Sequence, residues 1–296
     1  MQLTGENTRP LASIIIPCKN EGTNVKMTAD SILAATPLGG IEIIIIDDES
    51  VDGSCRFLAE DASYAGIKHL SCPGLGAARA RNLGASAATG EFLIFCDAHI
   101  TVPEGWLEKL LATFQRPGVD AVSPAIGSLV NPVATGYGQT WNERLEAVWL
   151  PPPRNMGITP VPLLPGGCLA VRAEAFRRVG GFDSGFIVWG YEDVELSLKL
   201  WLFGFNLYLN PSVKILHLFR KKHPYPVSIN HVHYNLLRMA YSHFKEERIA
   251  KIQRQVPSGR LVKRVLDEGV LEQRERYLRQ RKYDDDWFMN RFHIPF

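Results

Sequence analysis

The chain has 296 residues, 46% of them hydrophobic and 22% charged, with a formal net charge of +2 at pH 7. That length holds one large α/β domain or two small ones with ample core, and the ordinary composition excludes a disordered chain and gives no sign of nucleic-acid binding. Five scattered cysteines without a C-x-x-C pair, no basic-then-apolar leader, and no run approaching ~18 apolar residues lead us to expect a cytoplasmic protein with reduced thiols and no membrane span.

Residues 1–10 are polar and are expected to form a flexible end. Ala12 to Pro17 is a β-branched run stopped by proline, hence a buried strand, and Cys18 to Gly22 is the loop after it. Asn24 to Ala35 has helical spacing and is stopped by Pro37 and Gly39-Gly40. Ile41 to Ile46 is a second strand. Asp47-Asp48-Glu49-Ser50 follows, and Asp52-Gly53-Ser54 opens a helix to about Ala62. A third strand spans Ile67 to Leu70. Gly74 to Ala88 reads as loop then helix and carries Arg79 and Arg81. A fourth strand begins at Phe92. This β-α alternation predicts an α/β fold, a doubly wound and mostly parallel sheet with helices on both faces.

The fourth strand ends in Asp97-Ala98-His99. Alternate side chains of an extended chain share a face, so Asp97 and His99 can meet just beyond the strand's carboxyl end, where open α/β sheets bind ligands. A carboxylate with an imidazole suits a divalent cation such as manganese; a helix-capping turn is the plainer reading. Asp47-Asp48 also admits two readings, nucleotide contact or, more plainly, a turn capping a helix. Neither a G-x-x-x-x-G-K-[ST] loop nor a G-x-G-x-x-G fingerprint is present, which disfavours an ATPase or a dinucleotide enzyme.

Beyond Pro103 the spacing predicts a helix over Gly105 to Phe114 and a strand over Val119 to Ser123. Residues 124–162 read as a long irregular segment, with a short helix around Trp141 to Val148 and enough aromatics for an acceptor or sugar platform. A loop with Gly166-Gly167 enters a strand to Val171, and Arg172 to Val179 is helical. In Trp189-Gly190-Tyr191-Glu192-Asp193 the acids open a helix to about Phe203. They suit the helix dipole, or one of them serves as general base. Phe205 to Leu209 and Val213 to Leu216 read as two short strands. His217 ends the second, ahead of the cationic Arg220-Lys221-Lys222-His223-Pro224-Tyr225; it is either plain packing or a further metal ligand. His231 and His233 fall on a helix from Ser228 to Phe244, where i and i+2 diverge, and are assigned no metal. Residues 245–282 hold twelve Lys/Arg against six Asp/Glu, and a helix over Val270 to Lys282 reads as a solvated face. Trp287, Phe288, Phe292 and Phe296 are expected to tie the tail to the body, with only a weak peripheral lipid contact open to the basic stretch.

These pieces together resemble the GT-A fold nucleotide-diphospho-sugar glycosyltransferases, and above all the catalytic domain of polypeptide N-acetylgalactosaminyltransferases. The resemblance rests on Ser13 to Pro17 with Asn20-Glu21, Asp47 to Ser50, Arg79 and Arg81 before Gly84, and Cys96 to His99. It continues through Pro165 to Gly167, Trp189 to Glu192, His217 to Tyr225 and the tail Leu278 to Phe296, and so covers residues 11–296. It implies a nucleotide-binding half over 11–123, a sugar and acceptor half over 124–244, and a helical tail over 245–296. It implies a UDP-sugar donor and Mn2+ (or Mg2+) held by Asp97, His99 and His217. Pro17, Glu21, Asp48 and Arg81 (or Arg79) line the nucleotide pocket. Gly167, Trp189 and Glu192 lie near the donor, and Arg220, His223 and Tyr225 form a loop closing over UDP. The acceptor is a peptide Ser, Thr or Cys, a glycan or a small-molecule hydroxyl, with no nucleic acid partner.

One residue departs from that family. Asp193 stands where the polypeptide transferases have Asn, so the motif is similar to that of inverting enzymes in which this Asp is the base. Inversion with Asp193 as base is therefore the expectation, and retention the alternative. A sugar-1-phosphate nucleotidylyltransferase would need a glycine-rich basic loop after the first strand, which Cys18 to Gly22 matches poorly. A non-catalytic sugar-binding module would have no use for a base.

Overall fold

The computed structural model describes residues 10–36, 40–131 and 133–296. The flexible end expected over 1–10 falls, except for Pro10, outside the described residues, as do Pro37 and Gly39 of the first helix stop. The strands are β1 (Ala12–Cys18), β2 (Ile41–Asp47), β3 (Ile67–Ser71), β4 (Phe92–Cys96), β5 (Ile100–Thr101), β6 (Ala121–Ser128), β7 (Thr135–Gly136), β8 (Gln139–Trp141), β9 (Ala147–Trp149), β10 (Thr159–Pro160), β11 (Cys168–Arg172) and β12 (Leu207–His217). The helices are α1 (Asn24–Ala35), α2 (Phe57–Glu60), α3 (Ala77–Ala87), α4 (Trp106–Ala112), α5 (Ala173–Arg178), α6 (Glu192–Leu202), α7 (Ile229–His243), α8 (Glu246–Gln255), α9 (Gly259–Asp267), α10 (Val270–Gln280) and α11 (Asp285–Phe292).

The main sheet runs β10-β12-β6-β11-β4-β1-β2-β3. Its core pairs β1–β2, β2–β3, β1–β4 and β6–β12 are parallel, and β11 is antiparallel to both its neighbours. This is the doubly wound, mostly parallel α/β architecture expected. The chain leaves β1 for β2 and β3 and returns to β4 on the other side of β1. The carboxyl ends of β1 and β4 therefore flank the crevice where such sheets bind ligands.

Unbroken apolar runs bury both sheet faces. Ile14, Ile16 and Ile94 pack under α1 and α4, while Ile15, Ile46 and Phe95 pack under α3, α6 and α7. Helix α3 lies close because Gly84 has no side chain; a Cβ there would sit 2.5 Å from Ile15 Cγ2 and 2.7 Å from Ile46 Cδ1. Gly84→Ala is therefore expected to destabilise, overpacking of about 1–3 kcal/mol outweighing a helix-propensity gain of about 1 kcal/mol. A lower urea midpoint at unchanged slope checks this, and an unchanged midpoint would contradict it.

Several expectations are corrected. The helix from Asp52 to Ala62 is only α2, because Asp61 turns extended and accepts from the Ser63 amide and hydroxyl. The helix around Trp141 to Val148 is the β8–β9 hairpin instead. Asn142 Oδ1 accepts the Arg144 and Glu146 amides, and Leu145 sits at φ 57°, so the backbone turns back. The strand expected over Val119 to Ser123 extends to Ser128, and the two strands after Phe205 are one, β12, with an irregularity between Asn210 and Lys214. There the Asn210 amide reaches the Lys109 carbonyl and the Thr113 hydroxyl. The Val270 helix is not solvated all round: Val270 and Gln273 are buried, and Arg274 caps the carbonyls of Tyr241 and Phe244. The tail does fold back, with Phe292 against Trp201 and Phe288 against Trp141.

Candidate active site

A cleft of about 450 Å³ opens at the carboxyl ends of β1 and β4. Its floor carries Asp97 and His99 from the turn after β4, and His217 from the end of β12. Antiparallel pairing of β5 with β12 sets His217 opposite Ile100, and so brings together groups 120 residues apart. Asp97, His99 and His217 each offer a ligand atom within 4.8 Å of the others. The imidazole rings lie 4.6 Å apart; Nδ1 of His217 is buried without a hydrogen-bond partner, and Nδ1 of His99 has Glu21 3.3 Å away. One carboxylate and two imidazoles converging within ligand distance fit a divalent cation.

Asp97 also anchors the protein's own charges. Its Oδ1 accepts from Arg81 Nη2 at 2.7 Å and its Oδ2 lies 3.1 Å from His217 Nε2. Burial works against its ionisation, but His217, Arg81 and His99 hold the carboxyl well below the usual carboxylate range. Arg81, 5% exposed, spends Nη1 on Glu192 Oε1 at 3.1 Å. Two carboxylates thus offset the cost of burying one guanidinium. Arg79 does not reach the cleft and bonds the Leu75 carbonyl.

The walls bring in Pro17, Glu21, Asp48, Trp189, Arg220, His223 and Tyr225. Glu21 takes Arg220 in a two-pronged pair and lies 3.3 Å from His99 Nδ1; despite its burial, both hold its pKa down. Asp48 accepts the amides of Leu75 and Gly76 and the Cys72 thiol, so its carboxylate shapes the wall as well as facing the cleft. Trp189, His223 and Tyr225 pack in series as tilted rings, with centroids 4.5 and 5.8 Å apart. Burial, then the Arg220 charge, lowers the His223 pKa, and burial pushes the Tyr225 phenol well up.

Gly167, Glu192 and Asp193 stand beside this cleft, not on its lining. Gly167 lets His217 approach, since a Cβ would be 3.0 Å from the ring. Glu192 is occupied by Arg81 and the Gly190 amide. Asp193 Oδ2 accepts the Gly166 amide at 2.7 Å and its Oδ1 the Val194 amide at 2.9 Å. Burial, with the neighbouring Glu192 charge, raises the Asp193 carboxyl to about 6. His231 caps α7 with Ser228, and it and His233 belong to neither metal-capable group among the described residues.

The sequence reading passed over two site residues, Lys19 and Asn235. Lys19 lines the cleft and binds the Asp48 carbonyl, beside Lys222 of the expected cationic loop. Asn235, 1% exposed, accepts the Ile187 amide and donates to the carbonyls of Ile187 and Gly190. It thereby holds a loop in which Val188 and Tyr191 sit at φ 52° and 66°, a strained path for a β-branched and a bulky residue. Its signal was an asparagine in mid-helix, where that side chain competes with the backbone unless it has another task.

The sequence profile described as Glycosyl transferase family 2 matches residues 13–180, and the one described as N-terminal domain of galactosyltransferase matches residues 159–224. Polypeptide N-acetylgalactosaminyltransferase 11 of Xenopus tropicalis is 33% identical over 260 residues, 78% of this chain and 42% of that protein. Polypeptide N-acetylgalactosaminyltransferase 5 of Caenorhabditis elegans is 34% identical over 257 residues, 78% of this chain and 41% of that one. The chain thus spans about two fifths of the length of these two curated relatives. Its fold is similar to that of GalNAc-T7 crystallised with UDP, GalNAc and Mn2+ (TM-score 0.80, 23% identity, 97% of this chain and 57% of that chain). It is less close to that of a Pyrobaculum calidifontis mannosyltransferase in complex with GDP-Man and Mn2+ (TM-score 0.56, 19% identity, 92% and 75%). With a GT-A sheet, and with a family profile matching more than half its residues, the chain belongs to glycosyl transferase family 2.

Proposed function

We propose that the protein transfers a hexose or N-acetylhexosamine from a UDP-sugar to an acceptor hydroxyl, with a divalent cation and with inversion. The observation that carries this reading is the Asp97–His99–His217 cluster on the floor of a cleft walled by Arg220, Lys222 and His223. Those three side chains would hold Mn2+ or Mg2+, whose chemistry there is Lewis-acid stabilisation of the departing diphosphate. Arg220, Lys222 and the Tyr225 hydroxyl meet the phosphates, and Asp48 and Pro17 face the nucleoside. The packed rings of Trp189, His223 and Tyr225 cover the donor and exclude water, limiting hydrolysis.

Asp193 takes the acceptor O–H proton while the oxygen bonds to the anomeric carbon and the bond to the diphosphate breaks. A carboxyl raised to about 6 is matched to that task near neutral pH. At the rim Trp149 and Phe219 are exposed with their rings 6.0 Å apart, an apolar edge for a peptide, glycan or small-molecule acceptor.

The second reading is retention, favoured by the 33–34% identity to polypeptide N-acetylgalactosaminyltransferases. The test is UDP release from UDP-hexoses and UDP-N-acetylhexosamines with a panel of acceptors. Turnover with Mn2+ that chelator removes and Mn2+ restores is the expected result. Tight UDP binding without release from any donor would leave a binding module. The anomeric configuration of the product by NMR decides between inversion and retention.

A further inference from the structure

A second set of metal-ligating side chains, Asp47, Cys55 and His69, lies off the lining of the cleft, which borders only the neighbouring Cys18. Along β1, β2 and β3, Ile14 and Ile16, Ile43 and Ile45, and Ile67 share the core under α1. Continuing each series by two residues puts Cys18 and Asp47, the last residues of β1 and β2, and His69, midway along β3, on that same face. Cys18 and Asp47 are direct register partners, as are Ile45 and His69. The turn after β2 then folds Cys55 over this row, 6% exposed.

Asp47, Cys55 and His69 offer a carboxylate oxygen, a sulfur and an imidazole nitrogen within 4.8 Å of one another. The Cys18 thiol interacts with that of Cys55 and is a candidate for a fourth donor. Asp47 Oδ1 accepts the Ser50 amide at 2.9 Å, which fixes the carboxylate and leaves its second oxygen free. Among the described residues the His69 side chain has no hydrogen-bond partner, and no Lys or Arg pairs with the side chains of the three.

We propose that Asp47, Cys55 and His69, with Cys18 as fourth donor, bind a borderline-soft divalent cation of the zinc class. Donor atoms on a tetrahedral zinc ion lie about 3.5 Å apart, so closure from the observed spacing needs side-chain rotation and no strand movement. The sulfur separates this site from Asp97–His99–His217, since thiolate selects zinc over manganese. Exposed His69 provides the way in, and Cys55 gives up its thiol proton to solvent as the ion binds. The ion would tie the ends of β1 and β2 to β3, one residue from Asp48. It would stabilise the fold by mass action without entering the proposed transfer step.

The test uses the full chain and Co2+ as a spectroscopic probe, with Zn2+ as competitor. Wild type and His217→Ala are expected to show thiolate-to-cobalt charge transfer in the near ultraviolet and tetrahedral visible bands, both erased by one equivalent of Zn2+. His69→Ala, at an exposed strand position, should bind at least tenfold more weakly. Cys55→Ser should lose the thiolate band, its fold being checked by a metal-free thermal melt. Zn2+ should raise the melting temperature of wild type more than that of His69→Ala. No thiolate band in wild type, or one that is unchanged in both His69→Ala and Cys55→Ser, would overturn the proposal.

Discussion

Asp97→Asn is expected to lower sugar transfer by on the order of 10³-fold and to destabilise the protein as well, because one carboxylate serves two ends. Its Oδ1 neutralises buried Arg81 and its Oδ2 faces His217 Nε2. An asparagine must turn its NH2 toward one of those groups, and toward Arg81 this sets donor against donor. Arg81 then keeps only Glu192, and breaking half of a buried ionic triad costs about 3 kcal/mol. His99→Ala separates the two effects. His99 makes no contact with Arg81, so its loss removes a cation ligand and leaves the Arg81 pairs intact. Transfer should fall by a comparable factor while the urea midpoint moves little. If His99→Ala and His217→Ala both transfer sugar at wild-type rates, the cation has been placed wrongly.

The Asp97 cluster was legible for a physical reason. Strands buried on both faces read as unbroken apolar runs, so their ends, and the polar residues just past them, stand out. Ile14–Ile16, Ile43–Ile46 and Phe92–Cys96 all located Pro17, Asp48 and Asp97 in this way. That Asp97, His99 and His217 converge is a matter of tertiary pairing between β5 and β12; local sequence supplied only the candidates, and the family resemblance joined them. The helix read around Trp141 to Val148 failed because a side chain decides that turn. Asn142 captures two amides, and the buried pair Trp141 and Leu145 suits a hairpin as well as a helix. Charge spacing misled for a related reason over Val270 to Lys282, read as a solvated face although Val270 and Gln273 are buried. Glu195 and Lys199 pair at helical spacing, the usual pattern of a solvated face, yet both are 0% exposed and His243 closes the group. Charge spacing along one helix carries no information about what other helices lie on top of it.

Asp193→Asn is expected to reduce kcat by 10²- to 10⁴-fold while leaving UDP binding within a few-fold of wild type. Asparagine can still accept the Gly166 amide through Oδ1, at the loss of the hydrogen bond from the neighbouring Val194 amide. The pH profile carries the finer test. Burial and Glu192 raise the Asp193 carboxyl to about 6, so below that pH the folded protein holds it protonated and no base is available. At saturating Mn2+, kcat/KM of wild type should climb through pH 6 and level off above it, whereas the Asn variant should stay low and lose that limb. Glu192→Gln should carry the limb to lower pH, since it removes the charge that opposes ionisation of Asp193. A profile unchanged in both variants, or near wild-type turnover in Asp193→Asn, would take the proton away from this carboxylate. The reading would then pass to front-face retention, in which the donor's own departing phosphate receives the proton and the residue after Glu192 need only hold the Gly166 amide.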